Sequence, residues 1–207
     1  GTVTWRDVAS EDPKRYVAFR WTDAKRAVPL GPVGNSNVHG LGEVDYVIVT
    51  IPELLPAADS LASMHSTAGL RVAVVLQQEV FDAFSSGVSD PTAIKMLMMM
   101  LTDRADQSMG EIAAPQHLLL LGDASYENRN VQGNGQTIVG HYSEESLMTT
   151  TSYISDDYFA LVAEGQSERP QDLLHLGVGR IPAPTLESAM AVVGKVTTYM
   201  GLNDGLD

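Results

Sequence analysis

Leu118-Leu119-Leu120-Leu121 is a continuous apolar run that ends in Gly122-Asp123. Such a run reads as a strand buried on both faces. Its carboxylate then emerges at the strand's C-terminal end, the side on which open α/β sheets carry their sites. Asp123 could there bind a cation, orient a base, or accept backbone N–H bonds in the turn that follows. Asp156 and Asp157, within Ser155-Asp156-Asp157-Tyr158-Phe159, are neighbouring acids. They could supply oxygen ligands to a hard cation such as Ca²⁺, or cap a turn before Tyr158. Arg180, within Gly177-Val178-Gly179-Arg180-Ile181-Pro182, can pair bidentately with a crest carboxylate, Asp123 or Asp156. Asp123, Asp156, Asp157 and Arg180 are therefore the candidate binding residues, and the three acids the candidate metal ligands.

No nucleophile accompanies them. The chain has no cysteine, which removes disulfides, thiolate metal sites and a Cys nucleophile from these residues. There is no G-x-G-x-x-G after a strand, no P-loop, no H-E-x-x-H and no G-x-S-x-G. His39, His65, His117, His141 and His175 show no metal-ligand spacing. His117 and His175 lie in strand-like runs, while His141, in Gly140-His141-Tyr142, has the best access of the five. Asp123-Ala124-Ser125 matches the opening of the D-x-S-x-S metal loop of adhesion domains, with Glu127 at the fifth position instead of Ser. That partial match supports an alternative function, a non-enzymatic surface adhesion or ligand-binding module with a divalent cation at the strand crest.

The elements that would position these residues alternate. Strands are expected at 46–51, 71–76, 117–121 and 173–178. A helix with Pro56 in its first turn and Gly69 as its cap follows the first strand. A short helix through Val80, Phe81 and Phe84 follows the second. Asp90-Pro91 then opens a third helix, with Ile94, Leu97, Met98, Leu101 and Ala105 on one face. Thr185 can cap a last helix whose inner face would hold Leu186, Ala189, Met190, Val193 and Met200. This alternation predicts an α/β fold, a parallel sheet of about four strands with helices on both faces. The polar segment 124–150 reads as a long crest loop with a short hairpin at 137–142. Residues 1–44 form a β-rich N-terminal segment and linker, with Arg15–Trp21 strand-like in composition and Pro29, Gly31, Pro32, Gly34, Gly40 and Gly42 crowding the linker. Residues 45–207 form the α/β subdomain.

The 207 residues are enough for one good core, and 44% hydrophobic content is too high for disorder. A formal charge of −13 repels phosphate backbones and sets nucleic acid aside as a partner. No run approaches the ~18 apolar residues of a membrane span. The sequence opens on Gly1 without a Met, so an excised fragment of a longer protein is expected.

From Asp45 to Met200 the chain resembles the gingipain-type cysteine peptidases, and within them the sortase branch of the type IX (Por) secretion system. The resemblance rests on Asp45-Tyr46-Val47-Ile48-Val49-Thr50, Gly69-Leu70-Arg71-Val72, Phe84-Ser85-Ser86-Gly87 and Asp90-Pro91-Thr92-Ala93-Ile94. It continues through Leu119-Leu120-Leu121-Gly122-Asp123, the Ser155–Phe159 and Gly177–Pro182 blocks, and Lys195 with Tyr199. It implies a caspase-like domain of two subdomains, the first a small parallel sheet with helices. The second carries a Gly-His-Gly histidine and the nucleophilic cysteine. The chain matches the first, and Gly140-His141-Tyr142 is not the catalytic histidine motif. No catalytic residue carries over, and this fragment is expected to be inactive. The resemblance further implies a parent at the cell surface, on the outer membrane. That parent would be a signal peptidase that removes a C-terminal secretion signal from a protein substrate and passes the cargo to an anchoring lipopolysaccharide. Within the parent, the second peptidase subdomain would be this chain's partner. Members of the family bind calcium. No cofactor is otherwise required.

Overall fold

The computed structural model describes residues 4–8, 14–29, 31–124, 137–141, 153–166 and 172–203. The chain divides into two compact units, residues 1–35 and 36–207. In the first unit the Trp5 and Tyr16 rings lie 5.7 Å apart, and Lys14 Nζ donates to the Val8 carbonyl at 2.7 Å. The expected strand over Arg15–Trp21 does not form among the described residues; Arg20–Asp23 closes a turn, and Tyr16, Val17, Phe19 and Trp21 stay exposed. Strand-like composition is not enough where no neighbouring strand supplies a ladder. The expected linker residues 36–44 belong to the second unit, with Val38 and Val44 buried in its core.

The second unit is built on a four-stranded parallel sheet in the order β2-β1-β3-β4. The strands are β1 (Tyr46–Thr50), β2 (Val72–Leu76), β3 (His117–Leu121) and β4 (Gly177–Ile181). Helices α1 (Leu55–Thr67), α2 (Gln77–Phe84), α3 (Pro91–Gln107) and α4 (Leu186–Asn203) cover both faces. Side-chain alternation sorts the apolar runs into two cores. Val47, Val49, Val75, Leu118 and Leu120 pack with Val80 and Phe81 of α2 and Ile94, Leu97, Met98 and Leu101 of α3. Ile48, Leu119 and Leu121 point the other way, against Ala58 and Leu61 of α1 and Ala189 and Val193 of α4. The uninterrupted apolar sequences of β1 and β3 follow from this, since each face needs its own helices.

Local signals set the helix ends. Asp90 accepts from the Thr92 backbone N–H at 2.8 Å, with Pro91 at the first helical position. Gly69, at φ +96°, takes the left-handed turn after α1.

Two expectations need correction. The fourth strand is Gly177–Ile181, not 173–178. Leu173 and Leu174 are exposed, and the sheet is entered at Gly177, whose N–H bonds the Gln116 carbonyl at 2.8 Å. The apolar pair drew the expectation four residues early because β4 is a sheet edge with two glycines and a weak hydrophobic pattern. On α4, Ala189 and Val193 are buried, but Leu186 and Met190 are exposed. The helix lies beside the sheet's edge, so its buried stripe is narrow.

Candidate functional site

Arg180 is the hub of the crest. Near the end of β4, its Nε and Nη2 donate to the two oxygens of Asp156 at 2.9 and 2.7 Å. Nη2 also donates to the Val139 carbonyl at 3.0 Å, and Nη1 reaches the Gly122 carbonyl at 3.4 Å. The Arg180 side chain is 11% exposed. One guanidinium thus ties together the turn after β3, the segment 137–141 and the short 3-10 helix Asp157–Ala160. A planar fork suits this task, since it satisfies a carboxylate bidentately and still reaches carbonyls.

Asp123 follows β3 at the same end. Its carbonyl accepts from the Thr137 and Ile138 backbone N–H groups at 3.1 and 2.9 Å and from Thr137 Oγ1 at 3.0 Å. Its carboxylate accepts the Ala124 N–H at 3.0 Å. The turn-forming role is therefore the one its contacts display. Asp157 donates its backbone N–H to Ser155 Oγ at 3.1 Å, and its side chain is exposed.

The acids fit a cation poorly. Both Asp156 oxygens are engaged by Arg180, whose positive charge would repel a divalent ion beside it. Among the described residues, no three acidic or imidazole groups gather as a metal centre requires. Glu127, at the fifth position of the partial metal-loop match, lies outside the described residues, as does Tyr142 of the expected hairpin. Residues 137–141 form no strand.

His141 is not the accessible histidine the sequence suggested. Its ring stacks on Tyr158 at 3.6 Å between centroids and 11° between planes, half-buried. Burial holds its pKa below the usual imidazole value, the Lys95 charge lowers it further, and Asp90 partly opposes both. Lys95 is itself buried on α3, with Nζ 4.5 Å from the Tyr158 ring centroid and 3.3 Å from the Gln166 carbonyl. Tyr158 also shares a hydrogen bond with Thr92 Oγ1 at 3.1 Å. The contacts displayed by the His141–Tyr158 pair are those of ring stacking.

Sequence reasoning missed Gln77. It follows β2 directly and opens α2, yet its side chain reaches across to donate to the Thr137 carbonyl at 2.6 Å and accept from the Val139 N–H at 3.2 Å. Its position immediately after a buried strand, at the crest, was the available signal.

The chain matches the model of peptidase family C25 over residues 39–206. It is similar to the crystal structure of dimeric latent PorU from Porphyromonas gingivalis. That match has 34% identity and a TM-score of 0.69, and covers 80% of this chain and 16% of that one. The chain thus spans about a sixth of that relative's length. A structure described as a protease matches at 18% identity and TM-score 0.55, covering 75% of this chain and 28% of that one, and shows the fold alone. No curated protein matches. No helix of the described residues is long and apolar enough to cross a membrane. With the family match spanning the whole α/β unit, and the four-stranded parallel sheet shared with PorU, this chain belongs to peptidase family C25, the gingipain family of cysteine peptidases.

Proposed function

We propose that residues 36–207 are the first, nucleophile-free subdomain of a gingipain-like surface cysteine peptidase, the signal peptidase and sortase of a type IX secretion system. The observation that carries this reading is the C25 match over residues 39–206 in a chain without a single cysteine. A thiolate–imidazole pair must then come from elsewhere in the parent. The chain's role is to build the rigid crest against which a second subdomain places its histidine and cysteine. The flank of β4 and α4 suits that docking: β4 is an edge strand, and Leu173, Leu174, Leu186 and Met190 are exposed there. The parent's protein substrate would carry a C-terminal secretion signal, and its place would be the outer face of the outer membrane. A surface adhesion module with a divalent cation at Asp123 is the weaker reading, because among the described residues no second and third acidic or imidazole group gathers with Asp123 to complete a site.

Two measurements test this. The encoding gene, read on both sides of these residues, is expected to supply a Gly-His-Gly and then a Cys; their absence overturns the proposal. Separately, the purified chain is expected to cleave no peptide substrate. Turnover that co-purifies with it through every step would place a nucleophile within these residues and refute the division of labour.

A further inference from the structure

The chain runs from β1 outward to β2 and then crosses back to β3, so the sheet's topological switch point lies between β1 and β3. In open α/β sheets the crevice at that point is where ligands bind. Here it is filled by the chain itself. Ile138 and Val139 are fully buried over it. A Cβ built on Gly122, at φ +151°, would come within 2.6 Å of Ile138 Cγ1, so the strap lies directly on the backbone leaving β3. The strap's main chain joins no ladder. The Gln77 amide donates to the Thr137 carbonyl and accepts from the Val139 N–H, the two bonds a neighbouring strand would exchange with residues flanking Ile138. Arg180 donates to the Val139 carbonyl, and the Asp123 carbonyl accepts from the Ile138 N–H.

We propose that this crest is a groove for an extended peptide, occupied in cis by residues 137–140. The side chains of Gln77 and Arg180 read the guest's main chain, and a socket against Gly122 takes one β-branched side chain. Recognition of this kind resembles strand addition, where main-chain bonds give affinity and a pocket gives specificity. The guest class is a short extended segment with a β-branched residue at its centre. The site is independent of any peptidase activity and requires no residue beyond those named.

The test uses the whole chain and a fluorescein-labelled acetyl-Thr-Ile-Val-Gly-amide peptide, the strap's own sequence. Wild-type chain is expected not to bind it, because the groove is filled. Ile138→Ala removes the side chain that anchors the strap, so that the strap's main chain can be displaced from Gln77 and Arg180, and this chain is expected to bind the peptide in its place. Adding Gln77→Ala removes two hydrogen bonds and should weaken binding about 25-fold, about fivefold for each bond. Hydrogen exchange of the β1 and β3 amides checks that the sheet is intact. Should Ile138→Ala unfold the chain, Ile138→Val opens a smaller gap and gives a weaker form of the same result. Absence of binding to a variant with protected β1 and β3 amides overturns the proposal. So does binding that is indifferent to Gln77→Ala.

Discussion

Replacing Asp45 by Asn should loosen the sheet at the end opposite the crest, in a way that disappears on acidification. The Asp45 carboxylate accepts the Arg71 backbone N–H and Nε, each at 2.8 Å, and pairs with Nη2, which clamps the start of β2 to the start of β1. Arg71 also pairs with Glu43. The guanidinium and backbone N–H of Arg71 hold the Asp45 carboxyl at about 2, against an ordinary 3.8. At about 1.4 kcal/mol per tenfold, that is roughly 2 kcal/mol of folded-state stability at neutral pH. The Arg71 side chain is 43% exposed, so solvent screening reduces this to about 1–1.5 kcal/mol. A loss of that size lowers Tm by roughly 2–6 °C in a domain of this length. A depressed carboxyl stabilises the fold above its unfolded value and loses that contribution as pH falls through the folded one. The gap between wild type and Asp45→Asn should therefore be full above pH 5, about half gone by pH 3 and closed near pH 2. Far-UV circular dichroism in urea is the assay of choice, because both tryptophans, Trp5 and Trp21, lie in the N-terminal unit and would not report on the sheet. A gap of the same size at pH 7 and pH 3 would refute the charge argument and leave only lost packing.

Gly122→Ala should cost roughly 2–3 kcal/mol in urea unfolding, because φ +151° is foreign to alanine and its Cβ would meet Thr137 Oγ1 at 2.5 Å; a neutral result would mean that the strap yields easily. Arg180→Ala should be worse, about 3 kcal/mol, since it leaves Asp156 and two carbonyls without their donor, while Arg180→Lys should recover only part of the loss. His141 should titrate below the ordinary imidazole value of 6.5 in an NMR titration. Stability should accordingly fall as pH drops below 6.5 and level off once the folded imidazole also protonates, a slope that His141→Gln abolishes. The exposed flank of β4 and α4 should give concentration-dependent self-association in light scattering despite the net charge of −13; a strict monomer at millimolar concentration would show that the flank needs no partner.

The sheet was legible because its central strands are buried on both faces. Val47-Ile48-Val49 and Leu118 to Leu121 carry no alternation to misread, and the helices between them have strong local punctuation in Asp90-Pro91 and Gly69. Legibility failed at the edges. β4 carries Gly177 and Gly179 where a central strand would carry branched residues, and its start is fixed by pairing to Gln116 and His117, contacts that sixty residues of sequence separate. Arg15–Trp21 failed for the opposite reason, having the composition of a strand and no ladder to join. In both cases the deciding hydrogen bonds are non-local, which composition and period do not record.

The crest was half legible for a related reason. A strand ending in Gly-Asp announces where a carboxylate will emerge, and a late-strand Arg announces a fork that can meet one. That Asp156 rather than Asp123 takes the fork depends on where the 3-10 helix at Asp157–Ala160 packs, and that is set by Phe159 and Ala160 in the core below it. Once Arg180 is committed to Asp156, the cation reading weakens for a physical reason: one carboxylate cannot serve a guanidinium with both oxygens and also ligate a dication beside that charge. Nη2, which donates to Asp156, also donates to the Val139 carbonyl, so the residue that disfavours a metal at Asp156 is the one that seats the strap. Arg180 thus does two jobs at the crest with one planar group: it neutralises Asp156, and it fixes the main chain of the strap that lies over the sheet's switch point.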